Sequence, residues 1–458
     1  MKNVAKITPT KSQKELIHKF KKFFESSEKY FLLTGKPGVG KTTIVQIILE
    51  HLIKLDRENN NFDNPNVAGI TLAHRAKNVL GEFVPNVFTF AKAYGMKELY
   101  DDNGARKFVY DKYANDKGVV GDKQVPAFVH DEVSQYTREM LGIVMERTSM
   151  FSKVIFIGDI AQLPPIDAEG EMEVDEDSPV FDLDLPDYCR HELTERVRQK
   201  EGNSLLDLTD IIREEILGGQ SIQRMMHAIS EPIMKDGKGF GHITYPDFLN
   251  HYESRDPEDT RLIACRNKTV KYFNNNIRDY LFRNPTEAVI NDDFICMTDN
   301  FKGNCPPPNQ GTFYLYNSDS FKVTGVHTKV VSFNTSIKKY YIECFQSGIL
   351  NDVYKMFLTP TPNGFVEYQK ALNELGSACK SRKMKWSEFW DFKDSFCQYT
   401  YGYCITAYKA QGSTFKTVYV DINDILMTGP LTPKRALQTA YTAISRAQED
   451  VYFLKAKR

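Results

Sequence analysis

The chain has 458 residues, 41% hydrophobic and 26% charged, a length that calls for about three cores rather than one and a composition ordinary for a water-borne globular protein. No apolar run reaches the roughly 18 residues of a membrane span, and residues 1–13 lack the apolar centre of a secretory signal, so membrane and exported classes are set aside and a cytoplasmic protein is expected. With 59 basic and 60 acidic residues the net charge is −1, so bulk charge attracts no nucleic acid and any such role must rest on local basic and aromatic patches.

In chain order, residues 11–26 have helical spacing, with Leu16, Ile17, Phe20 and Phe24 on one face. Tyr30-Phe31-Leu32-Leu33 is a short apolar run that stops at glycine, as a buried strand does, and residues 44–55 read as a helix. Strand, glycine turn and helix in that order open a parallel α/β domain. The turn itself, Gly35-Lys36-Pro37-Gly38-Val39-Gly40-Lys41-Thr42, fits the phosphate-loop pattern G-x-x-x-x-G-K-[ST]. Its glycines let backbone N–H groups turn in around phosphates, Lys41 supplies charge to the β- and γ-phosphates, and the Thr42 hydroxyl ligates magnesium.

Short apolar runs at 67–72, 127–129 and 154–157 follow, each ending in polar residues, and ligands bind at that edge of open α/β sheets. Residues 98–113 read as a hairpin with Asn103-Gly104 at its turn. After the run at 127–129 come Asp131, expected to hold magnesium, and Glu132, expected to activate the attacking water. After the run at 154–157 come Gly158-Asp159 and Gln162-Leu163-Pro164-Pro165, a strand end suited to sensing a γ-phosphate. The acidic stretch 167–187 reads as a solvated loop.

A second α/β pattern begins near Leu193, with strands at 261–265 and 417–421 and a helix at 269–282. Residues 286–400, rich in Tyr, Phe and Lys and punctuated by proline, read as an inserted β-rich subdomain. Arg198 and Arg446, from the second lobe, are expected to stabilise charge that develops in phosphoryl transfer. The eight cysteines form no C-x-x-C pair and have no adjacent His cluster, so reduced thiols are expected rather than a zinc site.

Seven motifs in this order, spanning residues 13–446, resemble the superfamily 1B helicases of the RecD/Dda type. They are the Gln13 segment, the phosphate loop, Leu72-Ala73-His74-Arg75-Ala76-Lys77 with Thr89-Phe90, Asp131-Glu132-Val133-Ser134, the Gln162 segment, the arginine segments, and the stretch from Ile405 to Ser413. The resemblance implies two RecA-like P-loop lobes, with a β-hairpin insertion in the first and a β-rich SH3-like insertion in the second. The lobes fall at 1–91 with 127–190 and at 191–285 with 401–458, the hairpin wedge at 92–126 and the SH3-like module at 286–400. It implies 5′ to 3′ movement on single-stranded DNA driven by ATP and Mg2+, with separation of the duplex in phage replication or recombination.

Nucleotide contacts are expected from Gln13, Gly35, Pro37, Gly38, Val39, Gly40, Lys41, Thr42, Thr43 and Gly412. The metal falls to Thr42 and Asp131, and catalysis to Lys41, Asp131, Glu132, Gln162, Arg198 and Arg446. DNA contacts are expected from His74, Lys77, Thr89, Phe90, Phe108, Thr406, Tyr408 and Lys409, with Phe108 or Tyr110 as the wedge aromatic. Expected partners are single-stranded DNA, its junctions with duplex, and single-strand-binding or other replication proteins. No membrane is expected, and the monomer is expected to suffice, in host bacterial cytoplasm. The chain departs from its relatives at Tyr408, where many have His, and at Thr89-Phe90-Ala91, where close ones show Thr-Ile-His. A translocase that strips proteins without unwinding, an RNA-directed helicase, an accessory factor with a vestigial nucleotide site and a nucleotide kinase are the competing readings. Intact Lys41, Thr42, Asp131, Glu132 and both arginines argue against a vestigial site, and the second-lobe motifs against a kinase.

Overall fold

A computed structural model describes residues 10–41, 44, 67–72, 80–81, 84, 86–100, 106–111, 118–121, 127–165, 177–195, 204–235, 238–299, 301–305, 311–351, 353–427 and 432–455 of the chain. Its first half contains strands β1 (Tyr30–Gly35), β2 (Val67–Thr71), β3 (Asn86–Thr89), β4 (Lys97–Tyr100), β5 (Arg106–Val109), β6 (Ala127–His130), β7 (Lys153–Gly158) and β8 (Arg190–Leu193). Six of these make one parallel sheet in the order β3-β2-β6-β7-β1-β8, and β4 pairs with β5 as a separate antiparallel hairpin.

This sheet is buried on both faces, which is why its strands read as continuous apolar runs rather than alternating ones. Phe31, Leu33, Ile155 and Ile157 meet Leu16, Phe20 and Phe23 of the helix Lys11–Glu25. Leu32, Val154 and Phe156 face the opposite way, toward Val133, Tyr136 and Val144. The helix starts where Thr10 accepts from the Gln13 N–H and the Gln13 side chain accepts from the Thr10 N–H, a capping box that satisfies two otherwise open donors. Phe23, rather than Phe24, joins Phe20 as a fully buried aromatic of this helix.

The second half contains β9 (Ile233–Lys235), β10 (Lys238–Ile243), β11 (Thr260–Ala264), β12 (Phe294–Met297), β13 (Phe301–Cys305), β14 (Gly311–Leu315), β15 (Ser320–Asn334), β16 (Lys339–Asn351), β17 (Val353–Pro360), β18 (Tyr399–Tyr401), β19 (Cys404–Thr406), β20 (Phe415–Val420) and β21 (Ala447–Leu454). A second sheet runs β19-β11-β20-β21-β10-β9, parallel except for β9. A third, β17-β16-β15-β12-β18, is antiparallel and is drawn from residues 294–401, overrunning by one residue the stretch 286–400 read as an insertion. The expectation of an α/β chain with two lobes and two insertions matches this architecture.

The insertion differs from its β-rich reading in carrying two helices, Pro362–Lys380 and Trp386–Asp394. They cover one face of the outer β15–β16 ribbon, burying Tyr340, Ile342 and Cys344 against Tyr368, Leu375 and Phe392. The signals were present: Thr361 caps the first helix and Pro362 stands at its first position.

A buried ion pair joins the insertion to its lobe. The Arg278 guanidinium donates to both Asp293 carboxylate oxygens at 2.6 and 3.0 Å and stacks 4.6 Å from the Tyr401 ring centroid. The fully buried Arg261 guanidinium lies between the rings of Phe294 and Phe415. Among the described residues, no helix is long and apolar enough to cross a membrane.

Candidate active site and strand groove

The carboxyl ends of β1, β6 and β7 converge on one cleft. Beyond β1 the loop turns through Gly38 and Gly40, both at φ 80°, a left-handed conformation that glycine adopts without steric cost. Lys41 curls back, its ammonium donating to the carbonyls of Gly35 and Lys36. Burial pulls the Lys41 pKa down, opposed by the carboxylates of Asp159, Glu132 and Asp131. After β6, the Asp131 N–H is tied to the Ile70 carbonyl at 3.0 Å. Glu132 is held at φ 54°, a strained value for a residue with a side chain, of the kind that clusters at functional sites. Burial, and then the neighbouring Glu132 carboxylate, push the Asp131 carboxyl up to about 7.

The second lobe closes the other wall. Lys36, Gly38, Lys41, Asp131, Glu132 and Gln162 face Gly412, Ser413, Thr414, Ser445 and Arg446 across a cavity of about 190 Å³. The Arg446 guanidinium is 5% exposed. It donates through Nε to the Thr442 carbonyl at 3.0 Å and through Nη2 to the Ser445 hydroxyl at 2.9 Å. Two carboxylates, an ammonium and a guanidinium around one polar cavity form an arrangement suited to phosphoryl transfer, which needs positioning and charge stabilisation. Asp131 beside Glu132 would offer hard oxygen donors of the kind that Mg2+ prefers.

Polar contacts hold the lobes together around this cleft. Lys36 bridges to Asp210 at 2.8 Å, and Lys434 to Asp177 at 2.6 Å. The Gln135 amide donates to the Gln411 side-chain oxygen at 2.7 Å. At the centre, the Asp159 carboxylate accepts from Arg213, from the Tyr441 hydroxyl at 2.8 Å and from the Ala161 N–H at 3.1 Å. Arg213 and Asp210 carried no signal in the sequence, because each lies in a helix whose pattern reads only as amphipathic, and Tyr441 stood in the Arg446 segment with no role of its own.

A groove of about 410 Å³ opens on the second lobe, lined among others by Asn267, Lys271, Thr298, Tyr399, Thr406 and Lys409. Thr406 caps the turn that carries Lys409, accepting from its N–H at 3.2 Å. Asp424 fixes the start of the helix Asn267–Leu281, accepting from the N–H groups of Cys265 and Arg266 and from the Thr269 hydroxyl. Asn267 and Lys271 are groove residues the sequence reading missed, since Asn and Lys on a helix carry no distinctive pattern.

Several expected site residues sit elsewhere. Gln13 is 1% exposed and lies outside the cleft lining, its Oε1 spent on the capping box and its Nε2 buried without a protein partner. Phe90 requires correction as a DNA contact. It is 4% exposed and packs against Tyr94 and Tyr136, because the turn after β3 directs its ring into the core. The Tyr408 hydroxyl accepts from Arg435 at 3.1 Å, so its polar end is engaged within the second lobe. Thr89 stands at the amino end of the Phe90 turn and makes no side-chain cap bond. Val39 is a core residue and contributes to the loop through its backbone. Of the two hairpin aromatics, Phe108 is 54% exposed, whereas the Tyr110 ring lies under the Arg147 guanidinium at 4.7 Å. Thr42, Thr43, His74, Lys77 and Arg198 lie outside the described residues.

Comparison with known proteins matches residues 22–168 to the AAA domain family and residues 401–454 to the UvrD-like helicase C-terminal domain. An uncharacterized protein of Acanthamoeba polyphaga mimivirus is 23% identical, over 94% of this chain and 96% of the relative. The ATP-dependent DNA helicase dda of Enterobacteria phage T4 is 23% identical, over 97% of this chain and 99% of the helicase. The crystal structure of Bacteroides Pif1 bound to single-stranded DNA shares the fold, with a TM-score of 0.51 at 15% identity over 97% of this chain and 92% of that one.

Proposed function

We propose that the chain is a superfamily 1B helicase of the RecD/Dda type, as its similarity to the AAA domain, the UvrD-like helicase C-terminal domain and the phage T4 helicase supports, and that it is an ATP-driven motor that tracks 5′ to 3′ along single-stranded DNA and separates duplex. The observation that carries this reading is the cleft. Lys41, Asp131, Glu132 and Gln162 from one lobe face Gly412 and Arg446 from the other, so a nucleotide between them ties lobe closure to its γ-phosphate. Lys41 supplies positive charge to the β- and γ-phosphates, and Glu132 accepts a proton from the attacking water. Arg446 stabilises the charge that develops as the phosphoryl group leaves. Mg2+ held by Asp131 would neutralise phosphate charge.

Gly412 in the cleft and Lys409 in the groove lie three residues apart on one turn, so closure shifts the groove that grips the strand. Groove groups such as Asn267, Lys271, Thr406 and Lys409 suit phosphate contacts, and Tyr399 suits base stacking, which holds a strand without reading its sequence. The exposed Phe108 on the β4–β5 hairpin is the aromatic suited to a wedge. In this reading the lobes are 1–91 with 127–190 and 191–285 with 401–458, and the insertions are 92–126 and 286–400.

The test is strand displacement on duplexes with a 5′ or a 3′ single-stranded tail, using wild type and Lys41→Ala. Unwinding that needs ATP, Lys41 and a 5′ tail is the expected outcome. DNA-stimulated ATPase without unwinding on any substrate would replace the helicase reading by a translocase. Absence of ATPase would defeat the motor reading altogether.

A further inference from the structure

The motor reading leaves unexplained the most buried polar cluster between the lobes. Asp159 and Tyr441 are 0% exposed and Arg213 is 8% exposed. Arg213 forks, one guanidinium nitrogen donating to Asp159 and the other to Glu192 at 2.8 Å. A buried ion pair is weak evidence for stability, because desolvation offsets much of its Coulomb attraction. What such a cluster does supply is fixed geometry, and both of its ends lead to the cleft.

On the first-lobe side, the Asp159 carbonyl accepts from the Gln162 N–H at 3.0 Å, and the Asp159 carboxylate accepts from the Ala161 N–H between them. The Gln162 side chain lines the cavity with a buried Oε1 that has no protein partner. On the second-lobe side, the Tyr441 carbonyl accepts from the Ser445 N–H at 2.9 Å, and the Ser445 hydroxyl accepts from Arg446. Asp159 is therefore one hydrogen bond from Gln162 and three from Arg446, the two groups that face each other across the nucleotide cavity.

We infer that Asp159, Arg213 and Tyr441 are positioning residues that set Gln162 and Arg446 in register across the cleft for ATP hydrolysis. The inference rests on the motor reading and names how its two catalytic walls are aligned. Arg213 is suited to this because its planar fork fixes both Asp159 and Glu192, a geometry that lysine cannot reproduce.

The test is steady-state ATPase with single-stranded DNA for wild type, Tyr441→Phe, Arg213→Lys, Arg446→Lys and the Tyr441→Phe/Arg446→Lys double variant, with a melting temperature for each. Tyr441→Phe is expected to lower kcat about 10-fold while leaving KM for ATP within about twofold, since a positioning defect is felt in the transition state more than in ground-state binding. Its melting temperature should stay close to that of wild type, and the double variant should be no slower than Arg446→Lys alone, because Tyr441 is the member of the triad that reaches the cleft through Ser445 and that arginine. Arg213→Lys should reproduce the kcat loss although it keeps the charge. A Tyr441→Phe kcat within twofold of wild type, a loss that follows the melting temperature, or additive effects in the double variant would each overturn the inference alone. A wild type without DNA-stimulated ATPase would overturn the motor reading and this inference with it.

Discussion

At the scale of single residues, the buried polar groups behind the cleft set how the protein responds to pH. His130, at the end of β6, lies between the hydroxyls of Tyr94 at 3.2 Å and Tyr136 at 2.9 Å, and burial pushes its imidazole down to about 3. The unfolded chain binds a proton at His130 near pH 6.5, whereas the folded protein holds the ring neutral until far lower. The stability this represents is complete above pH 6.5 and is lost as pH falls toward 3. At pH 5 the loss amounts to about 2 kcal/mol. Because the raised Asp131 carboxyl gains stability over the same range in both proteins, urea unfolding at pH 7 and pH 5 should show His130 as a change about 2 kcal/mol less favourable in wild type than in His130→Gln. Equal slopes in the two proteins would assign the acid sensitivity to other groups.

At the scale of elements, the helix Pro362–Lys380 shows how close packing reverses a local preference. Thr361 accepts from the Gly364 N–H at 3.0 Å and donates to the Glu343 carboxylate, so Thr361→Ala should cost about 1 kcal/mol as a lost cap. Helix propensity alone says Gly364→Ala should stabilise by about 1 kcal/mol. Here a Cβ at Gly364 would collide with the Glu343 carbonyl oxygen of the β16 strand beneath it. Gly364→Ala should therefore destabilise, and by more than Thr361→Ala, because helix and ribbon must part to admit the methyl group. Urea midpoints of the two variants check the order. A Gly364→Ala protein as stable as wild type would show that the helix rides more loosely on the ribbon than this contact requires.

At the scale of the whole molecule, the lobes meet through ion pairs and amide contacts such as Lys36–Asp210, Lys434–Asp177 and Gln135–Gln411. Ala161 and Leu163 of the first lobe also pack into the second lobe's apolar core, but an interface with this much polar contact favours relative motion of the lobes. Its partly exposed ion pairs are screened as the Debye length shrinks from about 10 Å at 0.1 M salt to about 3 Å at 1 M. Without nucleotide or DNA, the radius of gyration from solution scattering should rise across that range. Lys36→Ala combined with Lys434→Ala should give the expanded form already at low salt. A radius of gyration that stays constant in both proteins would mean that the Asp159 cluster and the apolar contacts of Ala161 and Leu163 hold the lobes closed.

The sequence by itself determined the α/β class, the phosphate loop and the paired carboxylates after β6. Each of these depends on neighbours in the chain: glycine where φ turns positive, apolar runs where a strand is covered on both faces, polar residues where a strand ends. Short strands such as β3 and β8 lacked a comparable signal, being four residues each and held in place by pairing with strands far along the chain. Only the tertiary structure decided that Phe90 is core while Phe108 is exposed, and that the Tyr408 hydroxyl meets Arg435. It alone brought Asp159 together with Arg213, 54 residues away, and Tyr441, 282 residues away. The direction a side chain takes and the partner it meets are fixed by how two sheets pack, and that packing leaves no local trace in an arginine, a tyrosine or an aspartate read in its own segment.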